Sequence, residues 1–214
     1  MQSKVGKLLK TNVSFMSQRD RDIIHRILNG QPSAFAELVD AHKDKAFTLA
    51  MRILKNRADA EEALQDSFIR VFKSLQNFKG EANFSTWFYR IVYNVCLTAL
   101  RKRGEHFLVK LDDEAFKSEI VADEINPLQA MESEELQKIL DIEIKRLPAN
   151  YGAIFTLFYV QELSYDDICS VTGMPLGTVK TQLYRARLLL KKNIEKHFSS
   201  GNVAQENLLK GQKL

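Results

Sequence analysis

Two short segments of this 214-residue chain concentrate side chains suited to holding polyanions, and neither concentrates side chains that make or break bonds. In the first, FKGEANFSTWFYRIVYNVCLTALRKR, the aromatics Phe78, Phe84, Trp87, Tyr89 and Tyr93 lie among Lys79, Arg90, Asn94 and Arg101. Such interleaving suits unstacked bases and a phosphate backbone. Trp87 and Phe88 fall close to the apolar stripe of a helix, which favours the core for them, whereas Tyr89, Arg90, Tyr93 and Asn94 are assigned to the nucleic acid. In the second, SYDDICSVTGMPLGTVKTQLYRARLLLKK, the residues Thr178, Lys180, Thr181, Gln182, Tyr184, Arg185 and Arg187 lie off an apolar stripe of Val179, Leu183, Ala186 and Leu190. Bases, hydroxyls, an amide and an aromatic then stand where a major groove could be read. A solvated helical hairpin would also carry charge. The combination of a capped short helix, a glycine turn and a basic second helix favours DNA over that reading.

No constellation for catalysis accompanies these segments. His25, His42, His106 and His197 are scattered, and Cys96 and Cys169 lack CxxC or Cys/His spacing, so the cysteines read as small buried hydrophobes. No metal or cofactor is expected. An enzyme acting on nucleic acid would need clustered carboxylates or a metal site, and none can be placed in a pocket.

The elements that must position these segments are helices. Apolar residues recur at helical spacing, strand-like alternation is missing, and only 9 glycines and 4 prolines interrupt the chain, so the expected fold class is all-α. One helix is expected near Arg19 to Asn29, ended by Gly30, Gln31 and Pro32, and a second from Ser33 as N-cap through Ile53. After Asn56 and Arg57, Asp59 or a neighbour starts a helix with Leu64, Phe68, Val71, Phe72 and Leu75 inward and acids in its first turns. A loop around Gly80 precedes a helix capped by Ser85 or Thr86 that ends in Arg101, Lys102 and Arg103. Farther along, Ser164 and Asp167 form a capping box for a short helix, Gly173 supplies a tight turn, and Met174-Pro175 restart the chain. That is a helix-turn-helix.

Between Gly104 and Glu135 acids gather with few bases, which predicts a flexible linker. The expected organisation is a helical domain over 18–104, an acidic linker over 105–128, a second helical domain over 129–197 and a mobile polar tail over 198–214. Hydrophobic residues at 45% and charged residues at 27% fit a soluble globular protein, and no stretch approaches the roughly 20 apolar residues that cross a bilayer, so no membrane insertion is expected. The N-terminus lacks an apolar run of signal-peptide length, which predicts a cytoplasmic protein, and Met16 stands as an alternative start. A net charge of +4 favours a polyanionic partner only weakly.

At this point the chain resembles an extracytoplasmic-function sigma factor, the smallest type in the main bacterial sigma family. The likeness spans nearly Phe35 to Lys192 and rests on DAEEALQDSFIRVFKSL followed by FSTWFYRIVYN, then on LP and LSYDDICSVTGMPLGTVKTQLYRAR. The resemblance implies that Glu62, Gln65, Asp66, Ile69 and Arg70 dock on core RNA polymerase, although patterning alone would leave Glu62 and Asp66 on a solvated face. It implies that the loop with Phe78, Lys79, Gly80, Asn83 and Phe84 captures a base flipped from the minus-ten element, with Arg90, Tyr93 and Asn94 beside it. It implies that Thr178, Lys180, Thr181, Tyr184, Arg185 and Arg187 meet the minus-thirty-five element of promoter DNA. An anti-sigma factor is the further partner implied, and the free factor is expected to be a monomer. The linker would lie in the polymerase channel, or serve only as a tether.

The rival reading is a homodimeric helix-turn-helix regulator, which predicts a palindromic site. Gln182 and Gly152 depart from the family, which commonly carries arginine at both positions.

Overall fold

The computed structural model describes residues 17–80, 82–105, 107 and 134–211, with backbone alone for 134–137 and 198–211. Among the described residues there are helices and no strands, as the spacing predicts. The first domain comprises α1 (Gln18–Leu28), α2 (Phe35–Leu54), α3 (Arg57–Ser74) and α4 (Phe84–Lys102). The second comprises α5 (Glu134–Arg146), α6 (Ala149–Phe155), α7 (Tyr165–Thr172) and α8 (Leu176–Gly211). Most of the acidic linker lies outside the described residues.

Local chemistry accounts for the ends. Pro32 draws residues 32–34 into a 3-10 turn, so α2 begins at Phe35 and Ser33 is not its cap. Asn56 caps α3 by accepting from the Asp59 amide at 3.1 Å. The residue preceding α4 is Asn83, so Ser85 and Thr86 fall inside the first turn instead of capping it. Ser164 caps α7 as its capping box predicts: the Asp167 amide donates to Ser164 Oγ at 3.1 Å, and that hydroxyl donates to Asp167 Oδ2 at 2.6 Å. Gly173 ends α7 in the left-handed region at φ 73°. The backbone helix of α8 runs to Gly211, beyond the expected domain end at His197, since no proline and several good helix formers follow.

The core of the first domain is Leu38, Leu49, Ala50 and Ile53 from α2, Ala60, Ala63 and Val71 from α3, and Phe84, Phe88, Val92 and Cys96 from α4. A buried Asp20 accepts from or pairs with His42 Nε2 at 2.9 Å, tying α1 to α2 beneath the rings of Phe84 and Phe88. Leu140, Ile144, Leu147, Phe155, Ile168, Val179, Leu183 and Leu190 make the core of the second. The two cores are continuous, because α6 packs on α2 and α7 packs on α4. Between α6 and α7 a π turn over Thr156–Val160 turns Gln161 toward the first domain.

Candidate nucleic-acid and partner interfaces

The helix-turn-helix presents one open face. Val179, Leu183, Ala186 and Leu190 are buried, and Thr178, Lys180 and Thr181 are exposed, with Tyr184 and Arg185 half-buried beside them. Thr181 donates back to the Gly177 carbonyl at 2.8 Å, and the Lys180 ammonium lies 5.6 Å from the centre of the Tyr165 ring. A cavity of about 270 Å³ lined by Asn150, Thr178, Thr181, Gln182 and Arg185 opens on this face. Gln182 is buried and its Nε2 rests 3.6 Å from the Met174 sulfur, so it supports the turn where an exposed position was expected. Arg187 is likewise taken up internally: its Nε donates to the Tyr159 hydroxyl at 2.7 Å and its guanidinium covers Tyr159 at 5.5 Å. It anchors α8 to the π turn and so is not free on the reading face.

The middle of α8 is held by a buried carboxylate. Glu143 accepts from Arg146 Nη1 at 2.7 Å, Asn193 Nδ2 at 2.9 Å and His197 Nε2 at 2.8 Å. Burial pushes its carboxyl up, and the donors His197, Arg146 and Asn193 more than offset this, holding it below the usual value of 4.5.

In the first domain α4 is packed by α2, α3 and α7, which leaves few directions open. Arg90 and Asn94 are exposed, as expected of nucleic-acid ligands. Tyr89, Tyr93 and Phe84 are not: they are 2%, 1% and 0% exposed, which corrects the expectation that their rings face the nucleic acid. The physical reason is their neighbours. Gln161 of the second domain and Phe107 close over the shoulder that carries Tyr89 and Tyr93, and Phe84 packs within the first domain against His42 and Phe88. Burial pushes both tyrosine hydroxyls well above their ordinary value of 10.0. Before α4, Lys79 and Gly80 are exposed, Phe78 is half-buried 5.0 Å from Trp87 and 5.9 Å from Phe84, and Asn83 is buried at the start of the helix.

On α3, Glu62, Gln65, Ile69 and Arg70 are exposed, and the half-buried Asp66 pairs with Arg70 at 2.9 Å. Beside them an apolar groove of about 520 Å³ runs between α2 and α3, lined by Phe35, Val39, Leu64, Phe68, Ile69 and Phe72. Phe72 was expected inward and is 48% exposed. The signal for this groove is an apolar pair at helical spacing, Ile69 and Phe72, one position round from the core stripe. Among the described residues no group of His, Cys, Asp and Glu could hold a metal ion, and no helix is long and apolar enough to cross a membrane.

A capped helix-turn-helix with an exposed basic second helix defines a DNA-binding protein of the transcription-factor class, here with a second helical domain packed against the reader. Residues 38–106 match the model of Sigma-70 region 2 and residues 137–190 that of Sigma-70 region 4. The ECF RNA polymerase sigma factor SigW of Bacillus subtilis is 35% identical over 80% of this chain and 94% of its own length. The RNA polymerase sigma-H factor of Pseudomonas aeruginosa is 30% identical over 83% and 95%. Among solved structures, CnrH in complex with the cytosolic domain of CnrY aligns at TM-score 0.55 and 20% identity over 83% of this chain and 97% of that one. RpoE in complex with the anti-sigma factor NepR from Bartonella quintana aligns at 0.56 and 20% over 75% and 96%. The chain belongs to the sigma-70 family, as an ECF-type sigma factor. It directs promoter-specific transcription initiation and is not an enzyme.

Proposed function

We propose that the factor reads two unlike promoter elements from two separate faces while carried by core RNA polymerase. The observation that supports this most is the pairing of an open groove-reading face on α8 with a second exposed cation and amide, Arg90 and Asn94, on a different helix of a different domain. Region 18–104 would dock polymerase through Glu62, Gln65, Asp66, Ile69 and Arg70 and hold the minus-ten element. The exposed Lys79, Gly80, Arg90 and Asn94 are its direct ligands, with Phe78 at the edge of the Trp87 and Phe84 cluster. Phe84, Asn83 and Tyr93 shape that surface from beneath in this conformation. Region 129–197 would hold the minus-thirty-five element through Thr178, Lys180, Thr181, Tyr184 and Arg185, joined to the first by the acidic linker over 105–128.

The chemistry is binding energy alone. Unstacking a base costs a few kcal/mol and one aromatic stack returns ~1 to 3 kcal/mol, so strand separation depends on several contacts acting together. The apolar groove beside the α3 face, rimmed by Lys43, Glu61 and Lys73, has the shape and chemistry to take an amphipathic helix, which supports an anti-sigma factor as a further partner. The free factor is read as a cytoplasmic monomer.

The reading is tested with holoenzyme on promoter fragments. Arg185→Ala is expected to weaken binding by about 1–3 kcal/mol on fragments that carry the upstream element and to have little effect on fragments that lack it. Arg90→Ala with Asn94→Ala is expected to do the reverse with a downstream fork. Equal losses on both fragments from either variant would contradict two separate readers.

A further inference from the structure

Gln182 shares one stripe of α8 with Thr178, four residues before it, and Arg185, three residues after it. Both neighbours belong to the face assigned to duplex DNA, yet Gln182 itself is 8% exposed. Its amide is poorly held there. Among the described residues the partner of Nε2 is the Met174 sulfur, at 3.6 Å, and a thioether is a weak acceptor. Oε1 is closed to solvent and finds no donor among the described residues. A buried acceptor left unpaired loses its hydration without a return, so this is an unfavourable resting place for an amide.

The space beside it suits a ligand that brings N–H groups. Gln182 lines the cavity of about 270 Å³ on the reading face, together with Thr178, Thr181, Arg185 and Asn150 of α6. Asn150 is buried, and its Oδ1 is a second acceptor without a donor among the described residues. Gly177 completes the wall, and a Cβ built there would meet nothing within 4 Å, so the cavity is open where α8 begins. One opening thus collects two unmet amide oxygens, and Gln182 has room to turn into it.

We propose that Gln182 is a specificity-determining residue: on duplex DNA its amide leaves Met174, turns through this cavity into the major groove and takes the edge of one adenine in the upstream promoter element. Adenine is the base whose groove edge matches an amide at two points, with N6 donating to Oε1 and N7 accepting from Nε2. Both poorly satisfied atoms of the side chain are then paired. Guanine offers acceptors alone, cytosine a donor alone, and thymine an acceptor with a methyl group, so each meets only one end of the amide. The inference rests on the reading of α8 as the minus-thirty-five face and names one base within it.

The test uses holoenzyme assembled from the full chain and core RNA polymerase, on a promoter the factor transcribes, with each base pair of the upstream element varied in turn. The wild-type chain is expected to favour adenine at one position by about 5- to 150-fold, the discrimination of one two-point contact. Gln182→Met keeps the length of the side chain beside Met174 and removes both polar atoms, and should flatten the profile at that position alone. Gln182→Glu keeps the shape but loses the donor. It should move the preference there to cytosine, whose N4 amino group a carboxylate accepts, and weaken binding to every sequence because a negative charge enters the field of the phosphates. Thermal melts check that both variants fold, and should one fail to fold the other decides. An unchanged profile for Gln182→Met, an equal loss at every position, or a Gln182→Glu variant that still favours adenine overturns the proposal. Arg185→Ala on the same promoters separates it from the reading it rests on. If that variant weakens binding through the upstream element while the profile is indifferent to Gln182, α8 is the reader and only the role of Gln182 fails. If neither residue matters to that element, both fail.

Discussion

Replacing Gly173 by alanine isolates the conformational cost of the turn between α7 and α8. Gly173 sits at φ 73° and ψ 9°, and a Cβ placed there meets nothing within 4 Å. Steric contact with the rest of the protein is thereby excluded as a source of destabilisation, and only the backbone's aversion to the left-handed region remains, about 1–2 kcal/mol for an L-residue. Alanine also restricts the unfolded chain, which returns about 0.4–1 kcal/mol. The net loss is therefore about 0–1.6 kcal/mol, or at most about 6 °C in Tm for a chain of this size. Asparagine tolerates the same region better and should cost less than alanine, whereas β-branched valine should cost most. Urea denaturation followed by far-UV circular dichroism gives the three values. A loss above about 3 kcal/mol for alanine would point to a side-chain clash that the open space does not allow. Equal stability of the valine variant would mean that the turn is not left-handed.

Other outcomes follow from the burial of α4 and the exposure of its neighbours. Tyr93→Ala should cost about 3–5 kcal/mol of stability, because a fully buried aromatic is lost, while Arg90→Ala should leave the Tm nearly unchanged and reduce minus-ten binding; thermal melts beside promoter binding distinguish them. Asp66→Lys should lower affinity for core polymerase at least roughly tenfold in a binding titration, with folding stability altered by no more than ~1 kcal/mol since its partner Arg70 is exposed. Glu143 carries a pH dependence. Its folded carboxyl lies below the ordinary 4.5, so the stabilisation it provides is present above that value and is lost as pH falls through the folded one. Glu143→Gln should flatten that acid limb of the stability profile, and an unchanged profile would contradict the hub.

Much of this was legible before any coordinate. The helix-turn-helix follows from local rules that tertiary context seldom overrides: a serine and an aspartate at capping distance, a glycine at the turn and a stripe of Val179, Leu183, Ala186 and Leu190. The exposure of Arg90 and Asn94 follows from the same periodicity. Tyr89 and Tyr93 were misassigned because helical spacing locates the face turned to the nearest neighbours and is silent about a second domain arriving on the opposite shoulder. Phe72 failed in the other direction, since an apolar side chain at core spacing can line a groove left open for a partner. Ser33 yielded its capping role to the turn that Pro32 imposes, a competition between neighbouring residues that a cap rule alone does not resolve. Gly152 was visible only as a departure from the family; it is buried, and a Cβ there would stand 3.9 Å from Arg52 Cβ of α2.

Two readers that act only in company predict a particular dependence on polymerase. The most direct measurement is a footprint of the full chain on a promoter it transcribes, with and without core RNA polymerase. The account predicts weak protection by the free factor, and, with polymerase, protection of two elements of different sequence accompanied by single-strand reactivity at the downstream one. Strong protection of two equal, inverted half-sites by the chain alone, unchanged when polymerase is added, would contradict it.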